Sequence, residues 1–341
     1  MPDYDFILAG GGLAGLSLAY YLINSPLRDR TILIIDKDAK QQNDRTWCFW
    51  EEQPTLFDEI AYRVWCRLRF VGDDFTREFD LAPYRYQMIR GIDFYNFTRE
   101  KLFKCASVTF VRGNIDRVED GRDRATVTVD GKSFSGMWIF DSTLPPSLRG
   151  SLLTGIEASA GSAERADHRL KLLVKNGHYH HLNQHFRGWE VETEQPIFDP
   201  QLPTLFDFRT PQAGHMRFIY TLPFAENRAL VEYTLFSSHL LTTEEYDMGL
   251  KAYIENVLGI KQYTVNHVEA GIIPMTDRPF PRRLGQRVMS IGTKGGRVKP
   301  STGYAFLRVQ RDSAAIVQSL IEHGQPFHVP VRHRRFGLHD S

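Results

Sequence analysis

Three glycines and an aspartate near the start of the chain have the spacing that binds a dinucleotide. Gly10, Gly12 and Gly15 fill the glycine positions of a G-x-G-x-x-G turn, and Asp36 follows about twenty residues later. The first glycine makes the tight turn, the second lets backbone approach a pyrophosphate, and the third lets a helix pack closely on a strand. The phosphates then sit on the helix N-terminus, and the carboxylate accepts a ribose hydroxyl. The competing account is a glycine turn that binds nothing, with Asp36 a solvated strand-end carboxylate. A second glycine-rich stretch, Gly292 to Gly303, lies late in the chain ahead of a helical run. The third feature is Glu232, a lone carboxylate within the apolar run Leu230, Val231, Tyr233. Facing a pocket, it would be held protonated by burial and suited to general acid–base work. Facing solvent, with Val231 turned inward, it would be an ordinary strand residue, and periodicity does not choose between the two.

Stepwise reading of the chain supplies elements to position these groups. Asp5 to Ala9 and Thr31 to Ile35 are short apolar runs of the buried parallel type, and Leu13 to Ile23 between them is helical up to Ser25-Pro26. Residues 43–50 lack clean periodicity and are expected as a loop. Alternation begins again over 64–80, and a helix is expected from Ile92 to Phe103. A strand follows at Val108 to Val111. Asp130-Gly131 between Ala125–Val129 and Lys132–Ser135 signals a hairpin. Trp138 to Asp141 is expected as a further buried strand. Strands at Met216 to Leu222 and Arg228 to Leu235, a helix at Glu244 to Val257 and a last helix at Ala305 to Glu322 complete the series.

A hairpin leading to a strand that ends in Asp141, and a late glycine loop before a helix, match the layout of a glutathione-reductase-like FAD fold. Such a loop brings backbone N–H groups and a helix dipole to the flavin ring. The expected fold is therefore α/β: an FAD-binding Rossmann fold with an interleaved, mostly antiparallel β-sheet domain for the substrate. Residues 1–60, 86–150 and 270–330 are assigned to the FAD-binding domain, and 61–85 and 151–269 to the substrate domain. Residues 331–341 are read as the start of a shortened C-terminal segment. Asp141 is either a cofactor-side carboxylate or a turn cap.

A formal net charge of +1 gives no electrostatic case for a nucleic-acid partner. Cys48, Cys66 and Cys105 lack metal-ligand spacing and are expected as buried thiols in a reducing cytosol. No basic leader precedes the first strand, and no apolar run of spanning length occurs. A cytoplasmic protein is expected, associated peripherally with the inner face of the membrane. His178, His180, His181 and His185 crowd one segment but fit no standard ligand set, and Gly177 and Asn183 point to an exposed loop there. The basic cluster Arg332–Arg335 is read as a solvated face.

With these pieces placed, the sequence resembles the bacterial lycopene β-cyclases. Besides the glycine turn, the likeness rests on Arg45-Thr-Trp-Cys-Phe-Trp50, on Phe218-Ile-Tyr-Thr-Leu-Pro223 with Ala229-Leu-Val-Glu-Tyr233, and on Arg297-Val-Lys-Pro-Ser-Thr-Gly-Tyr304. The resemblance implies ring closure at the ends of lycopene, an isomerisation without net redox change. It requires reduced FAD, with NAD(P)H or another donor supplying electrons. A proton adds to the terminal double bond, the next double bond attacks the cation, and loss of a ring proton leaves the β-ring. Glu232 matches the glutamate regarded as catalytic in that family. Trp47, Phe49, Trp50 and Tyr304 would line the polyene tunnel, unless the aromatics of 47–50 are ordinary core. Arg45 would hold a phosphate or ribose, or pair with Asp44. Arg90 would lie near FAD or in a surface salt bridge. Gly292, Pro300 and Gly303 would belong to the flavin-covering loop.

The late loop departs from the wider flavoprotein pattern. Where many relatives carry Gly-Asp, this chain has Gly292-Thr293-Lys294, which is compatible with cyclases and argues against an ordinary hydroxylase. The rival readings are an FAD-dependent hydroxylase or polyprenyl reductase, and an idle flavin-binding remnant.

Overall fold

A computed structural model describes residues 1–143 and 180–330. The chain starts with β1 (Asp3–Ala9), α1 (Leu13–Ile23) and β2 (Ile32–Asp36), followed by β3 (Thr46–Glu51). α1 begins at Gly12 without a side-chain cap. Its end is fixed by Ser25, whose hydroxyl donates to the Leu22 carbonyl at 2.7 Å just before Pro26. Next come β4 (Arg63–Trp65), β5 (Arg67–Gly72), β6 (Phe75–Asp80), β7 (Arg85–Arg90) and α2 (Gly91–Phe103). β8 (Val108–Arg112), β9 (Ile115–Glu119), β10 (Ala125–Val129) and β11 (Lys132–Asp141) complete the first part. Then follow β12 (His181–Glu192), β13 (Thr204–Asp207), β14 (Met216–Ala225), β15 (Arg228–Ser237) and α3 (Thr243–Ala252). The last described elements are β16 (Thr264–Thr276), β17 (Val288–Ser290) and α4 (Phe306–His323).

The first sheet has the order β8-β2-β1-β11-β10-β9, with β17 also on β11. β8, β2, β1, β11 and β17 run parallel, so Gly10, Asp36, Asp141 and Ile291 emerge at one edge. That carboxyl edge is where open α/β sheets bind ligands. The second sheet, β16-β12-β15-β14-β13-β5-β6, is antiparallel except for the β13–β5 pair, and β3-β7-β4 form a third.

The second sheet is covered on both faces, which decides how its strands read. Val231, Tyr233, Ile219 and Val191 pack with Leu250 and Ile254 on the side of α3. Leu230, Phe218, Tyr220 and Leu222 pack with Trp65 and Tyr86 on the other. A strand buried on both faces shows no polar–apolar alternation.

Several expectations are corrected. Residues 46–51 form a strand, not a loop, paired with β7 from Thr46↔Arg90 to Glu51↔Arg85; its aromatics pack on both sides and erase the period. Trp138–Asp141 is no separate strand but the continuation of β11, which leaves its hairpin partner β10 to run beside β1. The histidine-rich stretch is not an exposed loop from residue 181 onward. It is β12, between β15 and β16, with Asn183 and His185 buried. His185 is held there by Tyr246 and by Ser237 Oγ at 2.9 Å; burial lowers its pKa to about 4, so it is neutral. His178 and Arg332–Arg335 lie outside the described residues. The cysteines are not all buried: Cys66 is exposed, since Trp65 before it takes the inward position, and Cys48 and Cys105 are partly covered.

Candidate active site

Glu232 and Glu269 are brought together by a glycine on the strand between theirs. Both residues are register partners of Gly188: Glu232 from β15 and Glu269 from β16. Directly opposed residues share a sheet face, so the two carboxyls lean toward each other over a position with no side chain. A Cβ at Gly188 would stand 3.3 Å from both Cβ and Cγ of Glu232 and 3.0 Å from Leu230 Cδ1. The carboxyls reach hydrogen-bonding contact with each other. Thr234 donates to Glu232 Oε1 at 2.9 Å, and Thr46 of β3 donates to Glu269 Oε2 at 2.6 Å.

Burial pushes the Glu232 carboxyl well above the ordinary carboxylate range, and the neighbouring Glu269 charge pushes it further. Burial likewise raises Glu269, against the stabilising Thr46 bond. Two like groups in one dry site cannot both ionise, so the pair holds a proton and titrates as a unit.

The pair looks into a cavity of about 280 Å³, walled by Trp47, Tyr86, Tyr220, Phe186, Tyr304 and Phe306. Burial keeps the three phenols protonated: Tyr86 and Tyr220 lie well above their usual range, and Tyr304 is pushed up to about 12. The walls therefore present neutral aromatic faces, and among the described residues the carboxyls that line them are those of Glu232, Glu269 and Asp44.

The dinucleotide turn lies at the carboxyl edge of the first sheet. Gly10 has φ of +111°, and a Cβ on Gly15 would fall 1.9 Å from the Gly10 carbonyl oxygen, so neither position admits a side chain as folded. Asp36 Oδ2 accepts from the Gly11 amide at 2.8 Å, tying the turn to β2. Beside it, Asp38, Lys40, Gln42 and Arg112 border a second hollow. The N-termini of α1 and α4 both lack a side-chain cap and acidic residues in the first turn, which leaves donors and a positive dipole end for an anion. In the cavity, Gln184 Oε1 and Thr302 Oγ1 are buried without partners. Uncapped helix ends and orphaned polar atoms fit a flavin dinucleotide running from the Asp36 turn toward Gly303.

The expected site residues divide into three groups. Glu232, Arg45, Trp47, Gly303 and Tyr304 line the cavity. Gly10, Gly12, Gly15, Asp36, Asp141 and Gly292 gather at the carboxyl edge; Gly292 lies against Ala14, where an added Cβ would come within 2.7 Å. Asp141 caps its own turn through Thr143 at 2.8 and 2.7 Å and pairs with Lys294 of the late loop. Pro300 sits in the turn before Gly303, closed by the Gly303 amide on the Lys299 carbonyl at 2.8 Å. Phe49, Trp50 and Arg90 are placed elsewhere. Phe49 stacks on Phe306 in the core, centroids 4.7 Å apart, and Trp50 packs on Tyr86. Arg90 forms a two-pronged pair with Asp93 at 2.6 and 2.9 Å and lies over the Tyr62 ring. Arg45 donates to the backbone carbonyl of Asp44, not to its carboxylate.

Glu269 and Gly188 escaped the sequence reading. Glu269 offered the same sign as Glu232, a single carboxylate before the apolar run Ile272-Ile273. Gly188 offered the sign of a glycine inside a strand, which marks close approach. Neither registers until β12 is recognised as a strand.

The family model described as "Lycopene cyclase protein" matches residues 5–336. Lycopene beta cyclase of Arabidopsis thaliana is 33% identical over 342 residues, covering 94% of this chain and 61% of that protein. The capsanthin/capsorubin synthase of Citrus sinensis is 25% identical over 357 residues, covering 96% of this chain and 64% of its own. The chain thus spans less than two thirds of these relatives. Among solved structures, a probable FAD-dependent monooxygenase from Pseudomonas aeruginosa superposes with a TM-score of 0.60 at 14% identity, over 94% of this chain and 86% of the other. The fold is the FAD-binding, Rossmann-like α/β fold of such flavoproteins, and the match along nearly its whole length places this chain in the lycopene cyclase family.

Proposed function

We propose that the protein is an FAD-dependent lycopene cyclase, an isomerase that closes β-rings at the ends of the linear polyene. The observation that carries this reading is the proton-holding pair Glu232–Glu269 in an aromatic cavity. Glu232 donates its proton to the terminal double bond. The cation so formed is attacked by the next double bond, closing the ring and moving the charge to a ring carbon. The faces of Trp47, Tyr86, Tyr220 and Tyr304 lower the energy of that charge by cation–π attraction, about 2 kcal/mol for each well-placed ring in a dry site. The carboxyl pair, left anionic, takes the ring proton and is reset, so atoms and electrons balance within the substrate.

Gly10, Gly12 and Gly15 with the α1 N-terminus would hold the pyrophosphate of FAD, Asp36 a ribose, and the turns from Gly292 to Gly303 the flavin end. Bound in its reduced state, with NAD(P)H as the electron donor, FAD would supply an electron-rich ring that favours a developing positive charge. The substrate is dissolved in lipid, so the proposal includes a peripheral contact with the membrane.

Expression in lycopene-accumulating bacteria, with pigments separated by chromatography, tests the reading. Loss of lycopene with appearance of γ- or β-carotene, abolished in Glu232→Ala, supports it. Unchanged lycopene beside a purified yellow protein that oxidises NADPH steadily would overturn it in favour of an oxidoreductase.

A further inference from the structure

The Glu232–Glu269 pair lies inside the protein, and a shared proton must reach it from solvent. His267 stands two residues before Glu269 on β16 and so on the same sheet face. Its ring is half-buried, and its Nε2 is enclosed without a hydrogen-bond partner. His267 pairs in register with Glu190 of β12, which lies two residues from Gly188 toward the outside. The face therefore carries two successive tiers: Glu232 and Glu269 across Gly188, then His267 beside Glu190.

The outer tier reaches the surface. Glu190 faces Arg228 of β15 at 3.5 Å, with the Glu190 side chain 25% and the Arg228 side chain 37% exposed. Arg228 donates to the Tyr62 hydroxyl at 2.9 Å, and Arg90 from the end of β7 lies over the same ring. On the inner side, a positive charge on His267, like that of Arg45, would hold the Glu269 carboxyl lower.

We propose that His267, with Glu190 outside it, is the proton relay that connects the Glu232–Glu269 pair to solvent. An imidazole suits this because it accepts a proton on one ring nitrogen while giving up one from the other. No bond other than N–H and O–H changes. A solvent proton enters at Glu190 or His267, passes to Glu269 and is shared with Glu232. His267 acts through Glu269 and does not touch the substrate. The proposal rests on the reading of Glu232–Glu269 as the proton-bearing pair of a cyclase.

The test follows the buried carboxyl by infrared spectroscopy in FAD-loaded protein, with the band assigned by its loss in Glu232→Gln. On transfer from H2O to D2O the wild-type band shifts rapidly. In His267→Phe the shift is slowed by about a hundredfold, on the scale that a positioned proton-transfer group contributes. His267→Gln, which keeps polarity without titrating, gives the same slowing and serves should the phenylalanine variant not fold. Equal exchange rates in wild type and either folded variant would overturn the relay, as would a wild-type protein with no protonated carboxyl band. This measurement needs no turnover, so the cyclase reading fails separately, by unchanged lycopene.

Discussion

Glu232 and Glu269 lie on strands that never pair with each other, and both take Gly188 as their cross-strand partner. Their meeting is a property of the sheet rather than of a loop. Removing either carboxyl should therefore disable the other. Glu232→Gln and Glu269→Gln are each expected to lower cyclisation by about a hundredfold or more, within the range for a general acid. The double variant should cost little beyond either single one, because the two act as a unit. Pigment formation per mole of bound flavin checks this; additive losses would mean independent roles.

The pH profile follows from the direction of the Glu232 shift. Its carboxyl titrates above the ordinary range because of burial and the Glu269 charge, so the acid form persists to higher pH than that of a solvated carboxyl. Activity should fall on the alkaline side as the pair gives up its proton. The stability sign is the same. A carboxyl raised in the folded state contributes fully below its unfolded pKa, and that contribution is lost as pH rises through the folded one. Thermal melts of wild type and Glu232→Gln should thus separate with rising pH, the variant becoming the more stable.

Gly188→Ala puts a methyl into the space over which the carboxyls approach. With Leu230 Cδ1 at 3.0 Å and Glu232 Cγ at 3.3 Å from the new atom, the neighbours must yield, at about 1–3 kcal/mol of stability. Flavin content should stay unchanged while cyclisation drops about a hundredfold, the scale of a 1 Å misplacement. Flavin absorbance and pigment yield, read together, separate this from general unfolding.

Gly15→Ala should instead abolish flavin binding, since its Cβ would collide with the Gly10 carbonyl and open the turn. Asp36→Ala, which frees the Gly11 amide, should weaken binding by about tenfold, the size of one charge-assisted hydrogen bond. Arg90→Ala should leave flavin binding unaltered, because Arg90 is committed to Asp93 and Tyr62. Fluorescence titration with FAD distinguishes the three.

The dinucleotide half was legible because its signals are local. Gly10, Gly12, Gly15 and Asp36 lie within one β-α-β unit, and the predicted helix Leu13–Ile23 is the observed one. The acid pair was half legible. Glu232 stood out as a lone carboxylate, but its orientation was undecided because Val231 and Glu232 both face inward, one to the α3 core and one to the cavity. Glu269 was hidden because its link to Glu232 runs through β12, whose histidines and asparagine read as a loop until His185 is seen bonded to Tyr246 and Ser237. Phe49 was left open between tunnel wall and core because residues two apart on a strand share a face; it stacks on Phe306, which Trp47 also meets.

The setting of the carboxyl pair has a further consequence for how such catalysts diversify. Strands in a sheet sit about 4.8 Å apart, a spacing that substitution hardly alters, and the ladders of β15, β12 and β16 hold the backbones of Glu232 and Glu269 two such spacings apart. The walls around them come from separate segments, among them Thr46–Cys48 and Thr302–Phe306. The reagent is thus cast into a fixed lattice while the mould around it is made of exchangeable parts. A change in either wall segment can therefore reshape the mould without moving the carboxyls.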